Sequence, residues 1–184
     1  MVGFWRYGGA MLLALGAGSL RAEPLTYEPV GLGWSSAEVE SATAANGSAL
    51  VERAERSGRL GCRRHCERLA RVFDRLVAQA RAQSPAAASR TWVMTVIRLP
   101  DVEAMALPGG QVLVSEDFVD ERIAHDEALA FVLAHEMAHS ILEHERQALT
   151  FARLLLPRQV PRTVQDMYTE IDHNFGLLKA LEPV

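Results

Sequence analysis

The stretch Phe131-Val-Leu-Ala-His-Glu-Met-Ala-His-Ser-Ile-Leu-Glu-His144 constrains this chain more than any other. It carries His135-Glu136-x-x-His139 inside a run that reads as helix, and four of the six histidines lie between His125 and His144. One helical turn separates His135 from His139, so their imidazoles lie about 40° apart around the axis and point the same way. Two neutral nitrogens so placed suit one Zn²⁺ ion at roughly 2.0–2.1 Å. Glu136 projects from the edge of that face, placed to take a proton from a water at the metal rather than to bind the metal. The bland alternative is a helix with two surface histidines and an exposed glutamate. Against it stand Leu129, Phe131, Val132, Leu133, Ala134, Met137, Ala138, Ile141 and Leu142, which make the helix apolar nearly all round and predict that it is buried. Polar side chains in a buried helix need partners, because unpaired buried groups are costly, and a metal supplies one.

The first 22 residues differ from the rest. Arg6 precedes the apolar run Ala10–Gly18, and Ser19-Leu-Arg-Ala22 ends in a small residue before Glu23-Pro24. That is the pattern of a secretory signal peptide, with cleavage expected after Ala22. Its apolar core is short for a bilayer span, and an uncleaved anchor is the alternative. No later stretch is long and apolar enough to cross a membrane. Residues 23–184 suffice for one domain with one core. The net charge of −4, with no basic cluster, argues against nucleic acid as a partner.

Within that domain, Ser35 or Ser36 can cap a helix beginning at Ala37, which Asn46-Gly47 is expected to break or kink before a second piece, Ser48–Arg56. From Leu60 to Arg81 the residues Cys62, Cys66, Leu69, Phe73, Leu76 and Ala80 form one apolar stripe of a helix. Cys62 and Cys66 are the only cysteines. A disulfide suits an oxidising compartment but would strain a regular helix, so a bridge and two buried thiols both stay open. As a second zinc site, Cys62-x-x-His65-Cys66 lacks a fourth ligand. Trp92–Leu99 is a β-branched strand. Ala104–Leu107 leads through the turn Pro108-Gly109-Gly110 into a second strand, Gln111–Val114. Ser115 can cap a helical turn reaching Glu121, and Asp126 can cap the histidine helix. That helix is expected to run on past His144 to Leu156, with a loop at Pro157–Pro161 and a last helix over Val164–Leu181. The sum is an α+β chain, mainly helical, with a small sheet beside the H-E-x-x-H helix.

Ala104-Met-Ala-Leu-Pro-Gly-Gly-Gln-Val-Leu-Val114, then an acidic residue and Glu127-Ala-Leu-Ala-Phe-Val-Leu-Ala-His-Glu-Met-Ala-His139, resembles peptidase family M48. These are the HtpX-like, CAAX-prenyl-protease-type gluzincins, here in their soluble periplasmic branch. Glu103 departs from the family's usual asparagine, and Asp117-Phe118-Val119 from its common Gly-Leu-Leu. The resemblance implies a zincin-like fold, one Zn²⁺ on His135 and His139, and Glu136 as general base. It also implies that the strand after Pro-Gly-Gly lies along the cleft as an edge, so Gln111, Val112, Leu113 and Val114 would pair with an extended peptide. An ordinary hairpin strand is the alternative. The family's third ligand is a glutamate from a later helix, in E-x-x-A-D form. Asp166, Glu170 and Asp172 do not stand in that motif. Glu170 comes nearest, and the ligand is expected beyond Val184. On a straight helix His144 points away from His135 and reads as supporting structure, whereas Glu143 faces closer to the metal and could orient a ligand. The expectation is a secreted, periplasmic zinc metalloendopeptidase acting on envelope or misfolded polypeptides. The alternative is a truncated, inactive homologue that binds extended peptides.

Overall fold

The structure, a computed structural model, describes residues 33–155 and 163–173, with the backbone alone for 154–155 and 170–173. The expected leader, the Pro157–Pro161 loop and the end of the last helix lie outside the described residues. In chain order the elements are α1 (Ser36–Arg56), α2 (Cys66–Gln83), α3 (Pro85–Ala88), β1 (Val93–Ile97), β2 (Ala104–Leu107), β3 (Gln111–Ser115), α4 (Glu116–Arg122), α5 (Asp126–Ile141), α6 (His144–Leu155) and α7 (Val164–His173). The architecture is α+β and mainly helical, as the pattern predicts.

Val112, Leu113, Val114 and Ser115 of β3 are all fully buried. A strand buried at consecutive positions must be covered on both faces and paired on both edges. The sheet order is β1-β3-β2, with β1 parallel and β2 antiparallel to β3. This corrects the expectation for Gln111–Val114. Each of these residues is paired with both neighbours, so β3 is the central strand and has no edge to offer a peptide. The bonded side of β2 alone faces β3, and its other edge is the one turned outward.

Val112 and Val114 pack, with Ala104, Ala106, Met94 and Val96, against Leu69, Val72 and Phe73 of α2 and Leu129, Leu133 and Met137 of α5. The other face meets α1. That helix starts with a capping box between Ser35 and Glu38 and runs unbroken through Asn46-Gly47, against the expected kink. Gly47 is buried, and a Cβ there would collide with Leu107 Cδ1 and stand 3.2 Å from Gln111 Oε1. The glycine serves close approach of helix to hairpin, which a propensity reading takes for a break.

The helix expected from Leu60 starts only at Cys66. Leu60 bridges Ile97, and Gly61 N–H donates to Val96 O at 2.9 Å, so this segment borders β1. Cys62 therefore precedes the helix, and Cys62–Cys66 is a disulfide with Cα atoms 5.5 Å apart. The strain foreseen for a bridge within a regular helix does not arise.

Glu116, fully buried, closes this loop. Its carboxylate accepts N–H bonds from Arg63, Arg64 and His65 at 2.6–3.1 Å, at the start of α2. Elsewhere, Ser115 Oγ donates to Leu99 O instead of capping α4. Asp126 sits inside α5 and binds Arg68 and Arg71, so His125 takes the N-cap position.

Two stability measurements follow from this packing. Gly→Ala inside a helix ordinarily gains about 1 kcal/mol. Gly47→Ala is expected to lose that gain and Gly47→Val to destabilise by about 1–3 kcal/mol in urea titrations, because Leu107 must be displaced. For Glu116, burial pushes the carboxyl up, but the N–H groups of Arg64, His65 and Arg63 outweigh it and hold its pKa below the usual value. A lowered folded pKa gives stability that is complete above the unfolded value and is lost as pH falls through the folded one. Glu116→Gln should therefore cost about 2 kcal/mol at pH 7. Below about pH 4 the gap to wild type should narrow, as read from urea midpoints across that range.

Candidate active site

The face of α5 that carries Leu129, Leu133, Met137 and Ser140 is buried against the sheet and α2. The opposite face is open: Phe131 is 73% exposed and His135 is exposed. The expectation of a helix buried all round is thus corrected. Aromatic and alanine side chains on the open face mimic core residues in sequence, although only one stripe enters the core. The histidines stand where a substrate could reach them.

Ala104 and Ala106 are what β2 presents to α5. Such small side chains let helix and strand approach, and Ala106 N–H donates to Glu136 Oε2 at 3.0 Å. Glu136 lies at the margin between the buried and open faces. Burial pushes its carboxyl pKa up, and the Ala106 N–H and the His135 ring pull it part of the way back.

His135 Nε2 and His139 Nε2 are 3.1 Å apart, with the rings edge to face. Two imidazole nitrogens on a tetrahedral ion at roughly 2.0–2.1 Å would stand about 3.3 Å from each other. The pair therefore fits a shared zinc ion. Burial, then the neighbouring His135, lowers the pKa of His139 against an opposing pull from Glu145, which favours the neutral form that a ligand needs.

Among the described residues no carboxylate joins both histidines in a three-ligand cluster. Glu170 falls in α7, but its side chain lies outside the described residues, as do those of Asp172 and His173. A group of Cys62, Cys66 and Glu116 has ligand-type atoms within 4.8 Å of one another. Its two sulfurs are bonded to each other, and the Glu116 oxygens already accept backbone N–H bonds, so it is a structural joint.

The helix does not run straight past the histidines. α5 ends at Ile141 and Glu143 adopts a left-handed backbone, φ 53°. The expectations for Glu143 and His144 assumed a straight helix, which this turn replaces. The Glu143 carboxylate accepts from Ser36 Oγ at 2.5 Å and Arg146 Nε at 2.7 Å, with Arg90 at 3.6 Å. His144, the first residue of α6, comes back to His139.

Beside His139 opens a cavity of about 380 Å³, lined by Val39, Pro108, Ala148 and Phe151, with Glu40, Arg90 and Glu143 among its polar groups. Arg90, nine-tenths buried, bridges Glu40 and Glu143. The sequence offers Ser36 only as a helix cap and gives Glu40 and Arg90 no part in the site, because all three lie far from the motif along the chain.

Residues 64–181 match Peptidase family M48. The chain belongs to that family. Among curated relatives of this M48 chain, the "Mitochondrial metalloendopeptidase OMA1" of Schizosaccharomyces pombe is 32% identical over 114 residues, 60% of this chain and 32% of that protein. The "Metalloendopeptidase OMA1, mitochondrial" of Bos taurus is 34% identical over 71 residues, 39% of this chain and 13% of that protein. The chain thus spans a third or less of the length of these relatives. No solved structure matches.

For this M48 chain, His135→Ala or His139→Ala is expected to abolish specific zinc binding, as measured by equilibrium dialysis with metal analysis. Retained zinc in either variant would remove the pair as ligands.

Proposed function

We propose that the chain is the catalytic part of a zinc metalloendopeptidase that cuts extended polypeptides. One observation carries this reading: two convergent imidazole nitrogens 3.1 Å apart sit beside a half-buried glutamate held by the backbone of an outer strand. Zinc, when bound, would polarise the scissile carbonyl and make water a better nucleophile at neutral pH. Glu136 would take the proton of the attacking water and hand it to the leaving amine. Its partly buried position favours that exchange, since a base with a raised pKa is a better proton acceptor.

The substrate strand would lie along β2. Glu103, Met105 and Leu107 face β3 in the ladder, so the backbone groups of Ala104 and Ala106 turn the other way, toward α5. This outer edge takes the role first expected of Gln111–Val114, and main-chain pairing there would tolerate varied side chains. The cavity beside His139 would receive one substrate side chain, its apolar walls favouring an apolar one. The third zinc ligand is proposed to come from residues outside those described, whether Glu170 or a later glutamate.

Work in an oxidising compartment outside the cytoplasm, such as a periplasm, is part of the proposal. The leader-like first 22 residues and the Cys62–Cys66 bridge support it. A second reading, peptide binding without hydrolysis, draws on the lack of a three-ligand cluster among the described residues.

Glu136→Gln decides between the two. It should retain zinc and lose casein hydrolysis by at least about 10²-fold. Hydrolysis at the wild-type rate would take Glu136 out of the mechanism, and a wild type that binds casein without cutting it would favour the second reading. Ala104→Pro tests the substrate strand, because proline is tolerated on an edge and removes an outward N–H. Cleavage should fall while the circular dichroism spectrum and melting temperature stay close to wild type.

A further inference from the structure

The left-handed turn at Glu143 has a chemical consequence at the metal pair. A non-glycine residue in this conformation is strained and persists only when its surroundings fix it. Here Ser36, Arg146 and Arg90 hold its carboxylate from α1, from α6 and from the segment before β1. The outcome of the turn is that the His144 ring meets the His139 ring edge to face, centroids 4.7 Å apart, with Nδ1 2.9 Å from Nδ1. The opposite nitrogen of His139, Nε2, is the one facing His135.

Two neutral imidazoles in this contact share one proton between their Nδ1 atoms, so one ring donates and the other accepts. A ligating Nε2 must carry a lone pair, which places the His139 proton on Nδ1. The acidic side chain nearest in sequence, Glu145, is engaged with Tyr168 Oη at 2.5 Å. His144 Nδ1 is the acceptor in contact.

We propose that His144 is a positioning residue for His139: its Nδ1 accepts the His139 Nδ1–H, fixing the tautomer and ring plane that aim Nε2 at the position shared with His135. The inference rests on the reading of His135 and His139 as zinc ligands. In this role His144 acts through His139 and does not bind the metal. The turn at Glu143 is the device that delivers it, because an α5 continued without a break would carry position 144 to a different side of the helix.

The test begins with the metal-free chain, labelled with ¹⁵N-histidine, at a pH where both rings are neutral. Long-range ¹H–¹⁵N spectra should show His139 protonated at Nδ1 and bare at Nε2, and His144 bare at Nδ1. His144→Phe keeps an aromatic ring and removes the acceptor. It should shift His139 toward the Nε2–H tautomer and weaken zinc binding about 10- to 100-fold, with the melting temperature little changed. His144→Gln, whose carbonyl oxygen can accept, should recover most of that loss. A His139 protonated at Nε2 in the wild type, or a tautomer and zinc affinity unchanged in His144→Phe, would overturn the proposal. If His144→Phe fails to fold, the wild-type spectrum alone decides. If His139→Ala leaves zinc binding intact, the metallopeptidase reading fails, whereas the tautomer result still reports on the His139–His144 pair.

Discussion

The close contact of α5 with β2 is the constraint on which the candidate site depends. Ala104 and Ala106 face α5, and the Ala106 N–H reaches the Glu136 carboxylate at 3.0 Å. The same contact sets the rotation of α5 about its axis: with Leu129, Leu133 and Met137 in the core, Phe131, His135 and His139 are left on the open side. One strand edge thus fixes Glu136, and through the helix it fixes the His135–His139 pair.

A second layer holds the end of α5. Arg90, buried between Glu40 and Glu143, joins the segment before β1 to α1 and to the α5–α6 turn. Ser36 adds its hydroxyl from the first turn of α1. α1 and the turn that returns His144 to His139 are therefore parts of one arrangement. Gly47, by letting α1 press against Leu107 and Gln111, keeps that helix against the same hairpin from the other face of the sheet.

The core of the site was legible from local spacing alone. His135, Glu136 and His139 lie within five consecutive residues of one helix, and helical geometry dictates their relation. The α+β class and the strands at Val93–Ile97 and Gln111–Ser115 were readable for a similar reason, since β-branched runs bounded by Pro and Gly are short-range signals. What failed depended on contacts distant in sequence. Strand order is one case: nothing in Gln111–Val114 says that β1 will pair on one side and β2 on the other. Gly47 is another, since its value lies in Leu107, a partner 60 residues on. The turn at Glu143 is a third, because its stabilising groups, Ser36 and Arg90, come from elsewhere in the chain. Cys62 was assigned to a helix that begins at Cys66, because a stripe of apolar residues continues past the point where the backbone leaves the helix.

The central claim is that His135 and His139 share one zinc ion while Glu136 stays off it. A crystal structure of the zinc-loaded chain with anomalous data at the zinc edge tests this directly. The account predicts one anomalous peak at roughly 2.0–2.1 Å from Nε2 of both His135 and His139, with Glu136 outside bonding distance. A peak at Cys62, Cys66 and Glu116, or one in which Glu136 replaces either histidine as a ligand, would contradict it.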